Sequence, residues 1–119
     1  MRGQVIGSVV HTLGNTLFER MVYDEHAQPQ TSTFAEYLLP TATELPPIDV
    51  ILVEYPSKTN PLGVKGAGET ACVPVPAAIV AAVENALAPF GVRLAEFPLS
   101  PAGICRMIHD ARVKSGSNK

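Results

Sequence analysis

This 119-residue chain has no tryptophan, aromatics make up only 6% of it, and only 17% of its residues are charged. Soluble domains ordinarily carry about a quarter charged residues. Hydrophobic residues reach 46%, much of that Ala, Val and Leu. The balance implies more apolar surface destined for burial than a chain of this size covers by itself. Positive charge is not in excess either. The formal net charge of −2 argues against nucleic acid as a partner, which calls for a basic face. The two cysteines, Cys72 and Cys105, form no CxxC. That argues against a disulfide scaffold or a zinc site and leaves reduced, buried thiols as the expectation. No apolar run reaches membrane-spanning length, and the stretch after Arg2 has no signal-peptide pattern. The expected location is the cytoplasm, without membrane insertion.

The length suits one domain, and no internal repeat is visible. Ile6, Val10, Leu13, Leu17 and Met21 recur at helical spacing, which predicts a helix from Gly3 to about Tyr23. Ser8, Thr12, Asn15, Thr16, Glu19 and Arg20 form its polar arc. Gly7, His11, Gly14 and Phe18 fall on one line, where glycines imply a close approach. Residues 24–29, DEHAQP, read as a turn. TSTFAEYLLP reads as extended, TATELPP as a loop, and the β-branched IDVILVEY at 48–55 as a strand. A helix starts at Pro74 or Pro76 and runs to about Leu87, apolar nearly all round and so expected to be buried on every side. VRLAEFP reads as a short last strand. Ser100 as N-cap and Pro101 at N1 open a final helix, and residues 112–119 read as a frayed tail. The expected fold class is α+β, a small mixed sheet flanked by about three helices.

The chemistry concentrates in PLGVKGAGETACVPVPAAIV, residues 61–80. Three glycines in six positions, Gly63, Gly66 and Gly68, precede a lone carboxylate, Glu69. A phosphate-binding P-loop needs GxxxxGK[ST], but Lys65 precedes the last two glycines. A dinucleotide fingerprint should follow its strand directly, and ten residues, 56–65, intervene here. Glu69 has two readings. It could be a first-turn carboxylate favouring the helix dipole, worth about 1 kcal/mol or less, or a general base whose pKa is set by burial against the helix N-terminus. His11, His26 and His109 lie on separate elements without ligand spacing, so no metal ligands are assigned.

NPLGVKGAGETACVPVPAAIVAAVENAL resembles the C-terminal part of the molybdenum-binding large subunits of the xanthine oxidase family, in particular the carbon monoxide dehydrogenase-like and aldehyde or isoquinoline oxidoreductase-like branch. The likeness extends through GQVIGSVVHTLGNTLFERMVYDE, TFAEYLLPTATELPPIDVILVEYPSKTNPLG and LAPFGVRLAEFPLSPAGICRMI, hence along the whole chain. The resemblance implies that residues 1–119 are the C-terminal part of a larger molybdenum-cofactor-binding domain. It implies that Glu69 sits beside the molybdenum and takes up a proton as oxygen is transferred to an electron-poor carbon. It implies that Gly66, Ala67 and Gly68 let the backbone approach a molybdenum-pterin cofactor. His11 is a further candidate cofactor contact. There the chain departs from its relatives, which commonly carry Gln-Gly where this one has His11-Thr12; histidine can still donate a hydrogen bond, but its shape and charge differ.

Further partners implied by the resemblance are the remainder of the large subunit, with iron-sulfur clusters and FAD on other domains or subunits. On this reading the chain is inactive alone, because most of the cofactor site and the substrate pocket come from other segments. Two alternatives carry no catalysis: a remnant or interaction subunit that keeps the fold for packing, and a small domain binding an anion at the glycine loop. In isolation, the uncovered apolar surface should drive self-association.

Overall fold

The computed structural model describes residues 1–94 and 96–116. Its elements are α1 (Arg2–Leu17), α2 (Pro74–Leu87), a 3₁₀ turn at Ala88–Phe90, and α3 (Pro101–Gly116). The expected α+β architecture is not what forms. Among the described residues there is no sheet, only an isolated antiparallel bridge between Tyr23 and Pro29. The reason is local at one segment and non-local at the other. Residues 48–55 have the composition of a strand, but a strand is stable only beside another. No backbone hydrogen bond pairs them among the described residues, and Ile51 and Val53 are 88% and 82% exposed.

The segment expected to be extended before Pro40 instead turns on a Thr-x-x-Glu capping box. Glu36 Oε2 accepts from the Thr33 hydroxyl at 2.8 Å and the Thr33 N–H at 2.9 Å, and the Tyr37 N–H reaches Thr33 O at 2.9 Å. Thr41 and Glu44 repeat the device. Tyr37 Oη then donates to Glu19 Oε2 at 2.7 Å, tying this turn to the end of α1 and pushing the phenol pKa up. The 24–29 turn forms as expected. Asp24 Oδ1 accepts from the N–H groups of His26 and Gln28.

Helix α1 stops at Leu17, short of Tyr23. Phe18 and Glu19 both donate their N–H to Gly14 O, at 2.8 and 2.9 Å, which widens and closes the last turn. Its buried face is also not the expected one. Ser8, Thr12 and Thr16, assigned above to the polar arc, are the buried line, while Ile6, Val10, Leu13 and Leu17 are half-buried and Met21 is exposed. Thr12 and Thr16 satisfy their hydroxyls on the carbonyls four residues back, at 2.8 and 2.7 Å. Such back-bonding lets a hydroxyl enter an apolar contact at little cost.

Helix α2 opens on Pro74 as expected and packs on α1. It is not buried on every side. It half-buries Val75, Ile79, Val80 and Val83 and leaves Ala77, Ala78, Ala81, Ala82 and Ala86 exposed. The helix is therefore amphipathic by side-chain size, a pattern that a simple apolar-versus-polar reading misses. Glu84, its half-buried acid, accepts the Leu94 N–H at 3.0 Å and faces Arg93 at 3.6 Å.

The apolar core is small: Ala71, Leu87, Val92 and Leu99. Leu99 is fixed to α1 by its N–H on Thr16 O at 2.8 Å. Ser100 caps α3 as expected, its Oγ accepting the Gly103 N–H at 3.1 Å. α3 continues to Gly116, into the stretch expected to fray, and residues 117–119 lie outside the described residues. Among the described residues of 92–98 no strand forms. Cys72 and Cys105, expected in the core, are exposed.

The radius of gyration is 18.8 Å, against about 13.5 Å for a compact domain of this length. Tyr55, Leu62, Val64 and Val73 are all more than half exposed. Isolated, the chain is expected to self-associate, because patches beyond a few hundred Å² rarely persist on monomers. Light scattering should report dimers or larger species, and a clean monomer that binds no apolar dye would refute this.

The Thr33 hydroxyl, then its backbone N–H, hold the Glu36 carboxyl below its ordinary pKa. A depressed carboxylate pKa stabilises the folded turn at neutral pH, and the contribution is lost as pH falls through the depressed range. Thr33→Val should raise the Glu36 titration midpoint in a carboxyl NMR titration, and an unchanged midpoint would remove the hydroxyl as the cause.

Candidate functional site

The glycine loop is delivered by a self-bonded turn. The Asn60 side chain accepts the Val64 N–H at 3.1 Å and donates to Val64 O at 3.0 Å. The Ser57 N–H bonds to Gly63 O at 2.9 Å. Gly63 has φ +65°, and a Cβ there would lie 3.0 Å from that of Pro56. This is the position in the loop where only glycine is comfortable.

Gly66 and Gly68 are different. Neither has positive φ, and a Cβ at either would meet nothing within 4 Å. No close approach within this chain requires glycine there. The same holds at Gly7, whereas Gly14 meets the expectation. A Cβ on Gly14 would come 2.8 Å from Pro40 Cδ and 2.5 Å from Glu19 Oε1. Of the two glycines aligned with His11, only one marks a packing contact.

Glu69 is exposed and lies in the turn at 68–73, before α2 begins at Pro74. It is therefore not in the first turn of that helix, and the dipole reading loses its geometric basis. Its carbonyl accepts the Cys72 N–H at 3.1 Å, and Thr70 Oγ1 donates to Ala67 O at 2.6 Å. Gly66 and Ala67 border an open cleft of about 480 Å³ with Val53, Tyr55, Lys65 and Thr70. Lys65 Nζ stands 5.7 Å above the Tyr55 ring. Glu69 and His11 do not border that cleft. His11 is exposed on α1.

What joins α1 to the loop is a set of residues sequence reasoning did not single out. Ser8 Oγ accepts the Ala71 N–H at 3.1 Å and stands 4.0 Å from Cys72 Sγ. Thr12 Oγ1 reaches the same sulfur at 3.6 Å. The available signal was the i, i+4, i+8 spacing of Ser8, Thr12 and Thr16, small hydroxyl residues on one helix line. Among the described residues no group of three or more His, Cys, Asp or Glu is placed to hold a metal ion.

Against known proteins, residues 1–46 match the family described as "Molybdopterin cofactor-binding domain". The chain is 41% identical over 104 residues to the 6-hydroxypseudooxynicotine dehydrogenase complex subunit gamma of Paenarthrobacter nicotinovorans, covering 87% of this chain and 13% of that one. It is 40% identical over 106 residues to the nicotine 6-hydroxylase large subunit of the same organism, again with 13% of the relative covered. Among solved structures, quinoline 2-oxidoreductase from Pseudomonas putida 86 matches 92% of the chain with a TM-score of 0.86 at 40% identity, over 14% of its own length. A Cu,Mo carbon monoxide dehydrogenase matches 94% of the chain with a TM-score of 0.85 at 25% identity. The chain thus spans about one-eighth of the length of the curated relatives it matches.

Gly14→Ala and Gly68→Ala should separate the two kinds of glycine. In a helix, alanine gains about 1 kcal/mol over glycine, but overpacking against the Pro40 ring costs about 1–3 kcal/mol. Gly14→Ala should therefore be neutral to destabilising in thermal unfolding, despite the helix gain. Gly68→Ala should leave folding within about 0.5 kcal/mol of wild type. A clear stabilisation by Gly14→Ala would contradict the packing assignment.

Proposed function

Since this chain belongs to the family of molybdopterin-binding large subunits, we propose that it is the C-terminal portion of a molybdenum hydroxylase, supplying the general base Glu69. The observation that carries the reading is the shared path with quinoline 2-oxidoreductase over 92% of the chain at 40% identity. The expanded shape and unpaired segment 48–55 support it, because both suit a segment completed by a larger fold.

The residues fit the cofactor such an enzyme holds. Gly66, Gly68 and Gly7 leave open space where side chains would stand, and Glu69 has no ion-pair partner among the described residues. Gly66, Ala67 and Gly68 would hold a molybdenum-pterin cofactor along their backbone, with His11 as a contact from α1. Once bound, the cofactor supplies Lewis-acid and redox chemistry. The protein contributes a proton acceptor. Enclosure by the rest of the subunit would shield the Glu69 carboxylate from bulk water at the point where base catalysis needs a proton acceptor.

The partners in this reading are the remainder of the large subunit, and the iron-sulfur and flavin domains or subunits that take electrons onward. One relative's name, subunit gamma of a dehydrogenase complex, supports assembly of this kind. No helix among the described residues is long and apolar enough to cross a membrane, and the reading carries a cytoplasmic location. The relatives near 40% identity are named for nicotine, 6-hydroxypseudooxynicotine and quinoline, and carbon monoxide dehydrogenases match at 25–31%. That ordering favours a nitrogen heteroaromatic substrate.

Glu69→Gln keeps the size of the side chain but cannot accept the proton. In the assembled enzyme it should keep molybdenum content and lower the rate of metal reduction by substrate by about 10²–10⁴-fold. Normal single-turnover reduction in the Gln variant would sink the assignment.

A further inference from the structure

The three buried hydroxyls of α1 do not behave alike. Thr12 and Thr16 serve carbonyls of their own helix. Ser8, 5% exposed, instead accepts a hydrogen bond from the Ala71 N–H at 3.1 Å, sixty-three positions away. Ala71 is itself 5% exposed. A buried amide with no acceptor is costly, so this contact fixes where the turn at 68–73 meets α1. The next residue, Cys72, touches Ser8 and Thr12 through its sulfur, and its N–H bonds to Glu69 O at 3.1 Å. A short chain of contacts therefore runs from Ser8 to the backbone of Glu69.

We propose that Ser8 is a positioning residue for Glu69: its hydroxyl anchors Ala71 and so sets the position from which the carboxylate takes up a proton. The proposal rests on the reading of Glu69 as the base. It assigns Ser8 no contact with substrate or cofactor. A displacement of about 1 Å in a catalytic group can cost on the order of 10²-fold in rate, so loosening the anchor should appear in kcat and leave KM near its original value.

The test uses the assembled enzyme carrying this chain, with Ser8→Ala, Ser8→Thr, Glu69→Gln and the Ser8→Ala/Glu69→Gln double variant. Two readouts are taken: amide hydrogen exchange across residues 69–73, and single-turnover reduction of the metal with steady-state kcat and KM. Ser8→Ala should speed exchange in that peptide and lower kcat by roughly 10- to 100-fold at unchanged molybdenum content. Ser8→Thr, which keeps the hydroxyl, should recover both. In the Glu69→Gln background, Ser8→Ala should cost little more, since it acts through Glu69. Unchanged exchange, retained kcat, or an equal further loss in the double variant would each overturn the proposal. Normal turnover of Glu69→Gln would instead overturn the base assignment. Faster exchange in Ser8→Ala alongside that result would keep the anchor and remove only its catalytic consequence.

Discussion

Two stretches of backbone, each sixty or more positions from the part of α1 it meets, settle on that helix because the side chains there are small and every hydroxyl has a partner. Ser8, Thr12 and Thr16 leave the helix surface low enough for the 71–72 turn and the Leu99 segment to settle on it. Larger aliphatic residues at those positions would hold the turn away from the helix. Unsatisfied hydroxyls would make the contact costly. The rest of the described structure is arranged from this seam. Above it the turn leads into α2, and at its far end Leu99 hands the chain to the Ser100 cap and α3.

Much of the chain could be read from its residues, and the misses have identifiable causes. Pro74 and the Ser100–Pro101 pair mark helix starts through local chemistry, and local chemistry survives whatever surrounds it. The Thr33–Glu36 and Thr41–Glu44 pairs are equally local, but the β-branched and aromatic content of 31–40 points to extended chain. No sheet forms among the described residues because a ladder is a property of two segments, and residues 48–55 carry only half of one. The buried face of α1 departs from the apolar stripe because a threonine bonded to its own helix behaves as a small packing residue, polar though it is.

The site shows the same division. Glu69 and its glycines were visible as a motif, and the family likeness gave them a role. Their geometry was not readable. Gly66 and Gly68 carry no strain that this chain can account for, while Gly63 and Gly14 answer to contacts within the chain. The Ser8 anchor was invisible for a simpler reason: nothing in the sequence says which distant amide a serine will meet.

The unpaired segment at 48–55 has a consequence for the order in which the protein matures. Its main-chain donors and acceptors are a template for any extended chain, its own copies included. Pairing with a remote segment is slow to nucleate compared with forming α1 or α2, because the loop to be closed is long. Helices therefore stand ready early while an adhesive edge stays open. While those groups stay unpaired, mispairing competes with correct burial, so the yield of correctly built protein depends on how long the segment stays open as well as on the stability of the finished fold.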